Sequence, residues 1–101
     1  MKKPKLKKIR KPPSAPSFEP LLPPTVREEF LEVVDNQLRE LNPPETKECY
    51  ERLVSQGFSD QQAREYIGVV IFHETLDVLR EKQPFNVSRY TEALARLPKL
   101  P

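Results

Sequence analysis

His73, Glu74, Asp77 and Glu81 fall within nine residues of a 101-residue chain, and their types could do chemistry. A His and an Asp one helical turn apart can both ligate a divalent metal, with an adjacent Glu as base. That arrangement would make a metal-dependent hydrolase. His73 is the one histidine, however, and a catalytic zinc site normally takes three protein ligands. The alternative places His73 at the polar seam between two apolar stripes of a helix, with no metal. Glu74, Asp77 and Glu81 lie within about 60° of one another on a helical wheel. An acid/base site would need one of them raised in pKa inside a pocket. A di-iron site would need paired Glu-x-x-His motifs, and the sequence has none. The plainer expectation is that these acids line a solvated helix end or pair with Arg89 or Arg96; a further one is that they receive a basic segment of the same or a neighbouring chain.

Other candidates are weaker. Cys49 is the single cysteine, so no intrachain disulfide can form, and it falls on an apolar stripe as a small core residue. Gly57 and Gly68 are the only glycines, which leaves no Gly-rich phosphate loop. Asn86-Val87-Ser88 matches a glycosylation acceptor but also reads as a helix cap. No catalytic residue, metal or cofactor is expected.

The charge distribution carries the strongest functional signal. Residues 1–11 hold Lys2, Lys3, Lys5, Lys7, Lys8, Arg10 and Lys11 and no acid, while residues 12–101 hold ten Lys/Arg against fifteen Asp/Glu. A basic arm is thus joined to an acidic body. Seven of the 12 prolines lie in residues 1–24, which predicts a disordered arm with polyproline II character. Its cations suit phosphate, with RNA or a ribonucleoprotein as the expected partner. No aromatic residue precedes Phe18, so contact would be backbone-directed and non-specific. A solubilising tail and an arm docking on an acidic protein are the alternatives. Arg10-x-x-Pro13-x-x-Pro16 also fits a ligand of proline-reading domains.

The longest aliphatic and aromatic run is Val69–Phe72, too short to span a membrane. The basic start leads into prolines rather than an apolar run, so export is not expected and a cytoplasmic setting fits.

Residues 25–101 predict an all-α, four-helix domain, with helices at about 26–41, 43–56, 60–82 and 87–97. Thr25 with Glu28 reads as a capping box for the first, whose stripe is Val26, Phe30, Val33, Val34 and Leu41. Asn42 reads as the cap of the second, with Pro tolerated in its first turn and Gly57 ending it. Ser59 with Gln62 opens the third; Asn86 opens the fourth, with Phe85 stapled to Tyr90. The third helix has Ala63, Tyr66, Ile67, Val70, Ile71 and Val78 on one face, and Val69, Phe72, Leu76 and Leu79 on the opposite one. A helix apolar on two sides is buried on two sides, so the second face is expected to meet a protein partner, a second copy in a homodimer, or the chain's own elements.

Asn42-Pro43-Pro44-Glu45, Arg52-Leu53, Gly57-Phe58, Ala63, Ile67, Pro84-Phe85, Arg89-Tyr90 and Leu94 to Leu97-Pro98 together resemble a short helical domain of uncharacterised bacterial proteins. The resemblance covers residues 42–98 and implies a bacterial cytoplasmic setting without an assigned activity. Leu53-Val54-Ser55-Gln56-Gly57-Phe58 is similar to the Met-Gly-Phe loop of ubiquitin-associated domains, with Gln56 in place of Met; a Gly-terminated helix followed by a core Phe is the alternative. His73-Glu74-x-x-Asp77 resembles the His-Glu-x-x-His zinc protease signature, with Asp77 in place of the second His. The function class expected is a non-enzymatic accessory or interaction protein.

Overall fold

A computed structural model describes residues 21–101 of the chain. Four helices follow in order: α1 (Arg27–Glu40), α2 (Pro44–Ser55), α3 (Asp60–Glu81) and α4 (Val87–Arg96), with no strand among the described residues. The all-α expectation holds, with each helix boundary within one residue of the sequence reading.

Two caps depart from expectation. Thr25 does not cap α1: residues 23–26 form a turn closed by Val26 N–H to Pro23 O at 3.1 Å, and the N-cap is Val26, with no side-chain bond. Asn42 does not cap α2, because its own N–H closes the end of α1 on Gln37 O at 3.3 Å. The N-cap of α2 is Pro43, and Pro44 fills the first turn, where a missing N–H leaves nothing unpaired.

The remaining end signals work as read. Gly57 has φ 106°, a conformation that a side chain resists. It ends α2 by donating to Val54 O at 3.0 Å while Phe58 N–H donates to Leu53 O at 3.1 Å, the Schellman pattern, and Phe58 turns into the core. This is the Gly-terminated helix and core Phe of the second reading. Ser59 and Gln62 form a reciprocal capping box at 3.0 and 2.9 Å. Asn86 Oδ1 accepts from Arg89 N–H at 2.9 Å, and the Phe85 ring meets Tyr90 edge-on at 5.3 Å.

The long α3 packs against all three other helices, α1 packs on α2, and α2 on α4. The main core runs between them through Val34, Leu53, Phe58, Ile67, Tyr90 and Leu94. A second, smaller cluster lies on the far side of α3, where Leu22, Leu31 and Val69 are buried with Phe30 and Phe72 against them. The sequence stripe of α1 is corrected here: Leu31 and Val34 are its buried residues, whereas Val33 and Leu41 are exposed. The cause is the second cluster, which draws the buried face of α1 towards Leu31. Arg64 on α3 adds a two-point bond to Asp35 on α1, at 2.7 and 2.8 Å.

Residues 21–24 belong to the arm by their prolines, yet Leu22 packs on this second face of α3, while Leu21 and Pro24 stay exposed. Leu22 is only 2% exposed and sits above Gly68, where a Cβ would come within 2.8 Å of Leu22 Cδ1. The rest of the expected disordered arm, residues 1–20, lies outside the described residues.

Burial separates the leucines by energetic weight. Leu53 is fully enclosed, so Leu53→Ala is expected to lower unfolding free energy by about 2–5 kcal/mol in denaturant titration. Leu79 is 69% exposed, and Leu79→Ala is expected to change it by no more than about 0.5 kcal/mol.

Candidate functional site

Glu74 leaves the buried side of α3 towards the start of α4. Its carboxylate receives a two-point bond from Arg89, Nε to Oε1 and Nη2 to Oε2, both at 2.8 Å. The Asn86 N–H adds a third bond to Oε2 at 2.9 Å. Arg89 also reaches Glu81 at 3.3 Å and lies 3.9 Å from Asp77, which Arg80 engages from one turn along. The three acids singled out in the sequence are therefore gathered around one guanidinium. The Arg89 bond holds the Glu74 carboxyl below its ordinary value, overcoming the opposing effect of burial. A general acid would need the opposite shift. The same bond raises Arg89.

His73 makes no hydrogen bond or ion pair with this cluster. It is exposed, with its ring edge-on to Phe72 at 6.1 Å. A cleft of about 210 Å³ lies beside it, lined by His73, Asp77, Arg89, Tyr90, Glu92 and Arg96 among others. Among the described residues, no group of three or more His, Cys, Asp or Glu side chains is placed to hold one metal ion.

Cys49 is buried on α2, its thiol 3.5 Å from Leu94 O. Burial pushes the thiol up to about 11, outweighing the Arg52 guanidinium beside it. Arg52 is itself occupied: its Nη1 donates to Leu97 O at 2.7 Å and its Nη2 to Leu94 O at 2.8 Å, satisfying carbonyls at the end of α4. The pair is a helix-end clasp with a protonated thiol beside it.

Two buried polar arrangements were not anticipated from sequence. Thr46, Gln37 and Tyr90 form a closed triangle joining α1, α2 and α4: Thr46 Oγ1 and Tyr90 OH both donate to Gln37 Oε1 at 2.8 Å and stand 2.9 Å apart. Burial raises the Tyr90 phenol, so it stays a donor. Glu65, fully buried, accepts the N–H of Leu21 at 3.2 Å and of Leu22 at 3.4 Å on Oε1, while Arg27 pairs with Oε2. Its position inside the apolar run from Ala63 to Ile71 was the available signal.

The expected partner face divides. Val69 is buried and Phe72 partly so, covered by Leu22, Leu31 and Phe30, whereas Leu76 and Leu79 remain exposed. A separate open groove of about 470 Å³, mostly apolar, runs between α1, α3 and the start of α4, lined by Phe30, Val33, Ile71, Thr75, Phe85 and Val87 among others. Lys2, Lys3, Lys5, Lys7, Lys8, Arg10 and Lys11 lie outside the described residues. No helix among the described residues is long and apolar enough to cross a membrane. No protein-family model matches the chain, and comparisons with curated proteins and with solved structures returned no significant match.

The lowered Glu74 carboxyl ties stability to acid. Its bond to Arg89 contributes above the ordinary value of 4.5, and the contribution is lost as pH falls through the lower folded value. Glu74→Gln is expected to flatten this part of a stability–pH curve measured by denaturant unfolding between pH 7 and pH 3. The buried Cys49 thiol is expected to react with iodoacetamide at least about tenfold more slowly in the folded chain than in denaturant. Equal rates would place Cys49 at the surface.

Proposed function

We propose that the chain is a non-enzymatic interaction protein whose basic N-terminal segment attaches to the phosphate backbone of RNA, alone or within a ribonucleoprotein. The observation that carries this reading is the charge division. Seven cations without an acid occupy residues 1–11, whereas residues 21–101 carry ten Lys/Arg against fourteen Asp/Glu. Phosphate neutralisation by such a segment releases counterions and needs no base contacts. The acidic body repels a polyanion, which keeps attachment confined to the segment. The non-enzymatic part is supported by the employment of the chemically able side chains: Glu74, Asp77 and Glu81 surround Arg89, and the Cys49 thiol is held protonated.

A second reading, a protein-binding module without nucleic acid, is favoured by the apolar groove around Phe30, Val33, Phe85 and Val87. Its basic segment would then dock on an acidic partner. Homodimerisation through Leu76 and Leu79 is the self-association form of the same reading.

Salt-dependent binding separates the two. With single-stranded RNA, seven phosphate contacts predict a log–log slope of affinity against salt of about −5. Replacing all seven cations by Gln is expected to abolish both the affinity and the slope. If the full chain fails to bind RNA at low salt, the nucleic-acid reading falls and the groove becomes the primary surface.

A further inference from the structure

The small cluster on the second face of α3 depends on a segment with few attachments. Leu21 and Leu22 share one acceptor, Glu65 Oε1, through bonds of 3.2 and 3.4 Å, the first at the long end of the usual range and the second beyond it. Leu22 is the segment's deeply buried side chain, and it lies over Gly68 rather than within the main core. Pro23 and Pro24 fix the backbone between Leu22 and α1, so these residues cannot be absorbed into the helix. The carboxylate under the segment does not rely on it alone, because Arg27 from the first turn of α1 pairs with the other oxygen. Lifting the segment therefore leaves Glu65 with a charged partner, and the twelve buried residues of the main core keep their own neighbours.

We propose that residues 21–24 form a latch that docks on α3 and releases from it as a unit while the four-helix core stays folded. Gly68 is the seat of the latch, Leu22 its bolt, and Glu65 the acceptor that sets its register by taking two successive N–H groups. Release uncovers Leu31, Val69 and Phe72. One turn along α3 from Phe72 stands the exposed Leu76, so opening extends an apolar strip that is otherwise interrupted. Leu22 thus occupies in cis the part of the α3 face that a partner would otherwise meet. The latch stands whether or not residues 1–11 bind a polyanion.

Amide hydrogen exchange on the full chain tests this directly. The Leu21 and Leu22 amides are expected to be protected relative to a free peptide, yet to exchange at least about tenfold faster than those of Leu53 and Ile67. Leu22→Ala is expected to remove protection at residue 21 and at the substituted position. The Leu53 and Ile67 amides should accelerate by no more than the protection lost at residue 21 and stay well protected, because they open only with the whole core. Gly68→Ala, which pushes Leu22 off its seat and suits a helix interior, is expected to give the same result with helix content retained. Both variants should bind an apolar fluorescent dye more strongly than the parent chain. Exchange of the Leu21 and Leu22 amides in step with Leu53 would make the segment part of the cooperative core and overturn the proposal. Exchange at the free-peptide rate in the parent chain would overturn it equally, as would loss of protection at Leu53 and Ile67 down to the free-peptide rate in Leu22→Ala.

Discussion

The need to cover α3 on both sides governs the rest of the fold. An ordinary amphipathic helix offers one apolar stripe and leaves the other face to water. From Gln62 to Ile71, α3 is buried almost all round. Four separate pieces of chain share the work: α2 and α4 with part of α1 on the main side, and Leu31 of α1 with Leu22 on the other. A chain of this size has little core to spare. The short segment ahead of α1 is drawn onto the body because the remaining apolar surface of α3 has few other covers.

Burying a helix all round also buries polar groups along it, and each must find a partner. Glu65 and Glu74 sit nine positions apart on α3, and both are met by an arginine together with backbone N–H. In each case these come from a neighbouring element: Glu65 divides Arg27 and the Leu21 and Leu22 N–H groups between its two oxygens, whereas Glu74 takes Arg89 on both oxygens and the Asn86 N–H on one. Each thereby ties a different element to the central helix: Glu65 the residues before α1, Glu74 the residues that open α4. The Thr46–Gln37–Tyr90 triangle does the equivalent between the three outer helices. These polar contacts set which element lies where, while the apolar contacts supply most of the driving force.

Much of this was legible in the residues, for reasons that differ by element. Ser59–Gln62, Asn86 and Gly57 are local signals, read within one turn of chain, and they mark the ends of α2, α3 and α4 where the backbone places them. Thr25 and Asn42 are the same residue types in the same kind of position, yet the turn at 23–26 and the closure of α1 on Gln37 compete for those stretches and win. The convergence of Glu74, Asp77 and Glu81 on Arg89 was foreseeable, because the acids share a helix face and Arg89 follows a short connection. The pairing of Glu65 with Leu21 and Leu22 was not, since it joins positions more than 40 residues apart and the intervening prolines read as a linker. The α3 face of Val69, Phe72, Leu76 and Leu79 was legible as apolar, but periodicity does not say which half the chain itself will cover.

Three helix ends close with a residue in left-handed backbone, and glycine supplies one of them. Gly57 adopts it freely, whereas Leu41 and Lys82 adopt it with φ of 56° and 57° and carry side chains exposed to water. The left-handed region disfavours such residues by roughly 1–2 kcal/mol each. Neither side chain recovers that in packing, and neither belongs to a buried cluster. Viewed as a product of drift, the chain holds two unoptimised positions that a single substitution to glycine or asparagine would relax without touching the interior.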